Sequence, residues 1–149
     1  MIARLKPGEL SLCLEGGRLF FDEGKMPGGF SPSVFLSTFC ELIQSGRGIV
    51  LASFDLRGDK RTITGALGGV LAQSPFNETV NAIEMFWYVL PEHRGHGIKL
   101  LRAFEAWAVE RGADYVCMIH LQKLQPEALG QLYLRLGYRL IESNYLKAL

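Results

Sequence analysis

Cysteine is scarce in this 149-residue chain, at three residues, Cys13, Cys40 and Cys117. An odd, widely spaced set argues against a disulfide framework. Reduced thiols in a reducing compartment are the simpler reading, so a cytoplasmic protein is expected. Charge of one sign is also lacking: 16 Lys and Arg stand against 15 Asp and Glu, a net charge of +1. That leaves no electrostatic case for nucleic acid or an anionic membrane surface as partner. No run of about 18 uninterrupted apolar residues appears, so no membrane span is expected. No basic segment leading into an apolar run opens the chain, so no signal peptide is expected either. Asn77-Glu78-Thr79 matches the glycosylation triplet, and without secretion it reads as accidental. Histidine is sparse: His93, His96 and His120 do not show metal-ligand spacing, nor do the cysteines, and no metal is expected. Internal repeats, low-complexity tracts and Pro/Gly/Ser-rich linkers are absent, which leads us to expect one domain over residues 1–149.

What is present is globular in character. Hydrophobic residues make up 48% and charged residues 21%, and the length suffices to bury a core without staples. Ile2 to Leu5 reads as a short strand stopped by Pro7-Gly8. Leu10 to Glu23 carries apolar residues at helical spacing, weakened by Gly16-Gly17. Pro32 to Ser45 is predicted helical, with Ser31 as N-cap, Pro32 at the first position and Gly46 after the end. Strands follow at Gly48 to Asp55 and Thr62 to Gln73, joined by a turn at Arg57-Gly58-Asp59. Gly65, Ala66, Gly68 and Gly69 in the second of them suggest close backbone approach or a bulge. Val80 to Leu90 is a third strand, ended by Pro91. A helix begins near Gly97, with Ile98, Leu101, Phe104 and Ala108 as its buried stripe, and closes at Gly112. A strand at Tyr115 to Leu121, a helix at Pro126 to Leu136 capped by Gly137, and a last strand at Tyr138 to Leu146 complete the series. Antiparallel strands followed by strand-helix-strand-helix-strand imply a mixed α/β sheet, mostly antiparallel and flanked by helices.

One stretch carries chemistry: Tyr88-Val89-Leu90-Pro91-Glu92-His93-Arg94-Gly95-His96-Gly97-Ile98-Lys99-Leu100-Leu101. It is a strand, a glycine-rich turn and the start of an amphipathic helix. The first amides of a helix lack internal partners, and the helix dipole adds positive character there. Two glycines admit close approach, and Arg94 and Lys99 add charge, so the parts describe a phosphate cradle. A Walker loop would need a Gly-Lys-Ser/Thr ending. A dinucleotide fingerprint would need a small residue at position 100, where Leu100 stands.

Val89-Leu90-Pro91-Glu92-His93-Arg94-Gly95-His96-Gly97-Ile98, running into Leu100-Leu101, resembles the acetyl-coenzyme A motif of the GNAT (general N-acetyltransferase) superfamily. Arg94 and Gly97 match the pattern of Arg or Gln, two residues, Gly, one residue, then Gly or Ala; Lys99 stands at the last position. Leu132-Tyr133, followed by Gly137-Tyr138-Arg139, resembles the last-helix motif, with Gln125-Pro126 where an asparagine is usual. The order of elements is similar across nearly the whole chain. The resemblance implies a GNAT-like acyl-CoA N-acyltransferase fold. It also implies transfer of an acetyl or other short acyl group from acetyl-CoA to a primary amine by direct attack on the thioester. Val89, Leu90, Arg94, Gly95, His96, Gly97, Ile98 and Lys99 would hold the coenzyme, and the N-terminal helices would shape the acceptor site.

Attack by an amine needs a proton acceptor, and the departing thiolate needs a donor. Glu84, in a strand between Ile83 and Met85, is the candidate base, because partial burial raises a carboxyl pKa. The competing reading is a carboxylate paired with a neighbouring cation. Tyr133 is the candidate acid; otherwise it is a buried tyrosine whose hydroxyl merely finds a partner. A backbone N–H of Val89 or Leu90 would orient the pantetheine or polarise the carbonyl. Cys117, Trp87 and Trp107 read as core. The acceptor is left as a small-molecule or protein amine, and a homodimer stays open. A non-catalytic coenzyme A-binding module, an interaction module with the same fold, and a transferase acting on charged transfer RNA remain as other readings, the last disfavoured by the near-neutral charge.

Overall fold

In the computed structural model, residues 1–57, 60–124 and 126–149 are described. Gly58 and Asp59 of the expected hairpin turn, and Gln125, lie outside the described residues. The chain divides into two units, Met1–Ile119 and His120–Leu149.

The first unit begins with a short strand, Ile2–Arg4 (β1). The weak helical pattern that follows resolves into a 3-10 helix, Pro7–Cys13, and an α-helix, Leu14–Glu23 (α1). One of the two glycines that weaken the pattern has a packing reason. A Cβ at Gly17 would lie 2.8 Å from the Phe35 ring, so the missing side chain lets the next helix approach. That helix, Pro32–Gln44 (α2), starts as its signals direct: Ser31 Oγ accepts from Val34 N–H at 3.4 Å and Pro32 takes the first position. Gly48–Arg57 (β2), Lys60–Gln73 (β3) and Val80–Val89 (β4) follow, then Ile98–Glu110 (α3) and Tyr115–Cys117 (β5).

Among the described residues the sheet has five strands in sequential order, antiparallel from β1 to β4 and parallel between β4 and β5. Strand alternation sends residues to two layers. Val50, Ala52, Phe54, Ala66 and Phe86 pack with Leu10, Cys13 and Phe39 on the side of α1 and α2. Ile49, Leu51, Leu67 and Ala82 pack with Leu100, Phe104, Trp107 and Ala108 of α3. The mixed α/β architecture expected from the sequence is therefore observed.

The small residues of β3 mark both close approach and irregular pairing. A Cβ at Gly68 would meet the Phe86 ring at 2.3 Å, and one at Gly69 the Phe104 ring at 2.4 Å. Opposite this pair the register slips: Gly68 pairs with Phe86 but Gly69 with Glu84, leaving Met85 as an extra residue, a β-bulge. A second slip lies between Ser53 and Phe54, where Thr64 is the extra residue.

In the second unit the helix Pro126–Arg135 (α4) ends in a Schellman motif: Gly137 has φ +90°, Gly137 N–H donates to Leu134 O, and Tyr138 N–H donates to Tyr133 O. The last strand expected at Tyr138 to Leu146 is not formed; residues 138–149 carry no regular structure, and Leu140, Ile141, Tyr145 and Leu146 are exposed. The polar run Glu142-Ser143-Asn144 interrupts the alternation, and Asn144 turns back to Glu142 Oε1 at 3.4 Å. A strand also needs a neighbour to take its backbone groups. The strand expected at Tyr115 to Leu121 is likewise shorter, because its ladder with β4 stops at the pair Ile83–Cys117. Among the described residues no helix is long and apolar enough to cross a membrane.

Candidate active site

The end of β4 and the start of α3 place the first unit's site residues. At the bulge, unbroken alternation would put Glu84 and Phe86 on one face. The extra residue Met85 separates them instead. Phe86 packs towards α1 and α2, while Glu84 pairs with Gly69, whose side of the sheet faces Phe104 of α3. Glu84 is 2% exposed. Two residues past the last β4–β5 pair, Ile119 N–H donates to Glu84 Oε2 at 3.0 Å, so the side chain takes up an amide just beyond the end of that ladder. Burial pushes the Glu84 carboxyl up to about 8, against the smaller opposing pull of the Ile119 amide. The cation-paired alternative for Glu84 is not what is found among the described residues: the carboxylate is met by a backbone amide.

Past β4, Leu90 N–H donates to Thr64 O at 2.9 Å, so the Leu90 amide is committed to the carbonyl of the bulged Thr64. A short 3-10 turn, Pro91–His93, leads to the glycine-rich turn. Gly95 has φ +98°, a conformation that L side chains rarely adopt. His96 N–H and Lys99 N–H close the turn on His93 O at 3.1 Å and His96 O at 3.3 Å. Among the described residues, no protein acceptor is found for the amides of Gly95, Gly97 and Ile98 at this helix start. Those amides, the exposed Lys99 and the dipole of the 13-residue α3 fit a diphosphate group. Gly97 contributes in a way the sequence did not disclose. A Cβ there would meet Val89 Cγ2 at 2.9 Å and the Trp87 ring at 3.1 Å, so this glycine seats the turn on β4.

Arg94 is not free. Its guanidinium donates to Glu23 Oε2 at 2.8 Å, and it sits 5.9 Å from the centre of the Tyr88 ring. The buried Tyr88 hydroxyl donates to Glu23 Oε1 at 2.7 Å. Burial, then the bond to Glu23, push the Tyr88 phenol up to about 12. Glu23 and Tyr88 are site neighbours that the sequence reading missed. The available signal was an acidic residue at a helix C-terminus, where the dipole disfavours it.

Residues 28–138 match the model of the acetyltransferase (GNAT) family. The chain belongs to this family. No curated protein matches it by sequence. Among solved structures it is similar to a probable acetyltransferase at 15% identity and a TM-score of 0.76, covering 100% of this chain and 97% of that one. It is also similar to a predicted acetyltransferase from Clostridium acetobutylicum bearing acetyl-CoA, at 17% identity and a TM-score of 0.76, covering 99% and 94%. A third is AAC(6')-Iy in complex with a bisubstrate analogue, CoA-S-monomethyl-acetylneamine, at 14% identity and a TM-score of 0.76, covering 99% and 96%. At such identities the likeness is one of fold. Acyl transfer is the general activity of the family to which this GNAT chain belongs.

In the second unit Tyr133 lies on α4, 7% exposed, its ring centre 5.6 Å from that of Tyr138 in a tilted arrangement. The family match includes this helix. Among the described residues no three His, Cys, Asp or Glu side chains group as a metal set. The Cys13 thiol is pushed up to about 12 by burial, which leaves it a core residue rather than a nucleophile.

Proposed function

We propose that the chain transfers an acetyl or other short acyl group from acetyl-CoA to a primary amine on a small molecule or a protein. The single observation that carries this is the buried Glu84 carboxyl, held by the Ile119 amide beside the end of the β4–β5 ladder, on the strand that leads into the glycine-rich turn. Once ionised, a carboxylate whose pKa is raised to about 8 is a stronger base towards an alkylammonium than an ordinary one, and its ionised fraction grows as pH approaches that value. The coenzyme supplies a thioester whose carbonyl carbon accepts a nucleophile.

The chain's own residues then act as follows. The free amides at the start of α3 and the Lys99 ammonium bind phosphate oxygens. Glu84, directly or through one water, takes the proton that makes the acceptor nitrogen nucleophilic. A carbon–nitrogen bond forms as the carbon–sulfur bond breaks, and the electron pair leaves on sulfur. Tyr133 supplies the proton that the thiolate takes; with reference pKa values of about 10 for a phenol and about 8.5 for a thiol the transfer is uphill by ~2 kcal/mol, and the phenolate is reprotonated from solvent. The apolar side chains of Val89 and Trp87 keep the turn seated on β4.

An acceptor-library screen with acetyl-CoA, reading release of free thiol, tests the proposal. Amine-dependent thiol release supports it. Tight binding of acetyl-CoA with no turnover on any amine would replace it with a binding role.

A further inference from the structure

We infer that Glu23 is a positioning residue for the coenzyme-binding turn: by holding Arg94 against Tyr88, it sets where residues 94–99 sit. The inference rests on the reading that this turn binds acetyl-CoA.

Glu23 is the last residue of α1, and no basic residue lies in that helix's last turn. A carboxylate at a helix C-terminus faces the negative end of the dipole, so the helix gains nothing from it. Its cation comes from 71 positions along the chain, on the turn itself. The carboxylate is oriented at both oxygens. Oε1 receives the Tyr88 hydroxyl at 2.7 Å and Oε2 the Arg94 guanidinium at 2.8 Å. With its pKa raised to about 12, Tyr88 stays protonated and remains a donor throughout the working range. Its ring belongs to β4, so Glu23 is referenced to the sheet before it reaches Arg94.

The turn has little else to define it. Two of its own backbone bonds, from Arg94 to Pro91 O and from Lys99 to His96 O, are long at 3.3 Å. A Cβ at Gly95 would meet nothing within 4 Å. The turn is therefore held at its ends: Gly97 against Val89 and Trp87, and Arg94 against Glu23. Fixing both ends orients the free amides between them before a ligand arrives, which lowers the ordering cost of binding. The pair is partly exposed, at 34% for each side chain, so its effect is one of orientation more than of strong attraction.

The test uses the full chain with acetyl-CoA as titrant, and five proteins: wild type, Glu23→Gln, Arg94→Gln, the double variant of these two, and Tyr88→Phe. Glu23→Gln should raise the Kd by about two- to fivefold. It should also shift the NMR amide resonances of Gly95, Gly97 and Ile98 without ligand, which a role confined to α1 would not do. In the Arg94→Gln background the same substitution should add nothing. Tyr88→Phe, which keeps the ring and deletes the donor to Oε1, should move the same resonances. Unchanged turn resonances in Glu23→Gln would overturn the inference, as would a Kd effect of full size in the Arg94→Gln background. If wild type does not bind acetyl-CoA, the proposed function fails, and the ligand-free resonances alone still decide whether Glu23 positions the turn.

Discussion

Replacing Glu84 by glutamine should make the protein more stable at alkaline pH and less active where the wild-type carboxyl is ionised, around and above pH 8. The side chain is buried, and its carboxyl rises from 4.5 to about 8. At about 1.4 kcal/mol per pH unit, that displacement disfavours the charged form in the folded chain by ~5 kcal/mol. Below pH 4.5 Glu84 is protonated in folded and unfolded chains alike, and its neutral form contributes fully. Between 4.5 and about 8 the unfolded chain gives up a proton that the folded chain keeps, so stability is lost as pH rises. Above about 8 both forms are ionised and the loss is complete. Glutamine keeps the shape, still accepts from Ile119 N–H and does not titrate. The variant and wild type should therefore differ little at pH 4.5, whereas at pH 9 the variant should lead by up to ~5 kcal/mol. Urea unfolding at pH 4.5, 7 and 9, with the m-value constant, measures this. The rate should show the complement. Wild-type kcat rises with pH through about 8, and in the variant that limb flattens, with partial recovery at high pH as free amine appears. A stability difference that is the same at pH 4.5 and 9 would refute the reasoning, because it would mean that Glu84 ionises as it does in water.

Three further outcomes are expected. Tyr133→Phe should lower kcat by roughly 10- to 10³-fold with the KM for acetyl-CoA little changed, and steady-state kinetics with a working acceptor will show an unchanged kcat if the phenol is not the acid. Lys99→Ala should weaken acetyl-CoA binding by about 1–3 kcal/mol in calorimetry, less so in added salt, whereas no change would place its ammonium in solvent only. Gly97→Ala should destabilise the fold by about 1–3 kcal/mol in urea unfolding, because its Cβ would press on Val89 and Trp87; a neutral result would mean that the turn lifts off β4 at no cost.

Helix α2 was legible because its instructions are local. Ser31, Pro32 and Gly46 act within one turn of the residues they terminate. The strand-turn-helix at 80–110 was legible for the same reason, and with it the unpaired amides at the helix start. Glu84 was legible as one residue, an acid inside an apolar strand, but its partner was not. Ile119 N–H reaches it only because β5 leaves the ladder at Cys117. The strand expected at Tyr138 to Leu146 shows the reverse case. Its apolar residues permit a strand, but composition cannot supply a neighbouring edge, and residues 138–149 carry no regular structure.

By itself the sequence determined most of the elements, though not the strand expected at Tyr138 to Leu146, together with the apolar patterning of the sheet and the chemistry available at the turn. These follow from side-chain periodicity, caps and the unpaired amides of a helix start, all set by residues a few positions apart. The tertiary structure alone decided which face Glu84 takes, because the bulge at Met85 exists only when β3 and β4 pair. It alone decided that Gly97 is a packing contact, that the Leu90 amide serves Thr64, and that Arg94 answers to Glu23 on a helix 71 residues away. Such pairings depend on how distant segments register against one another, and no local rule encodes that register.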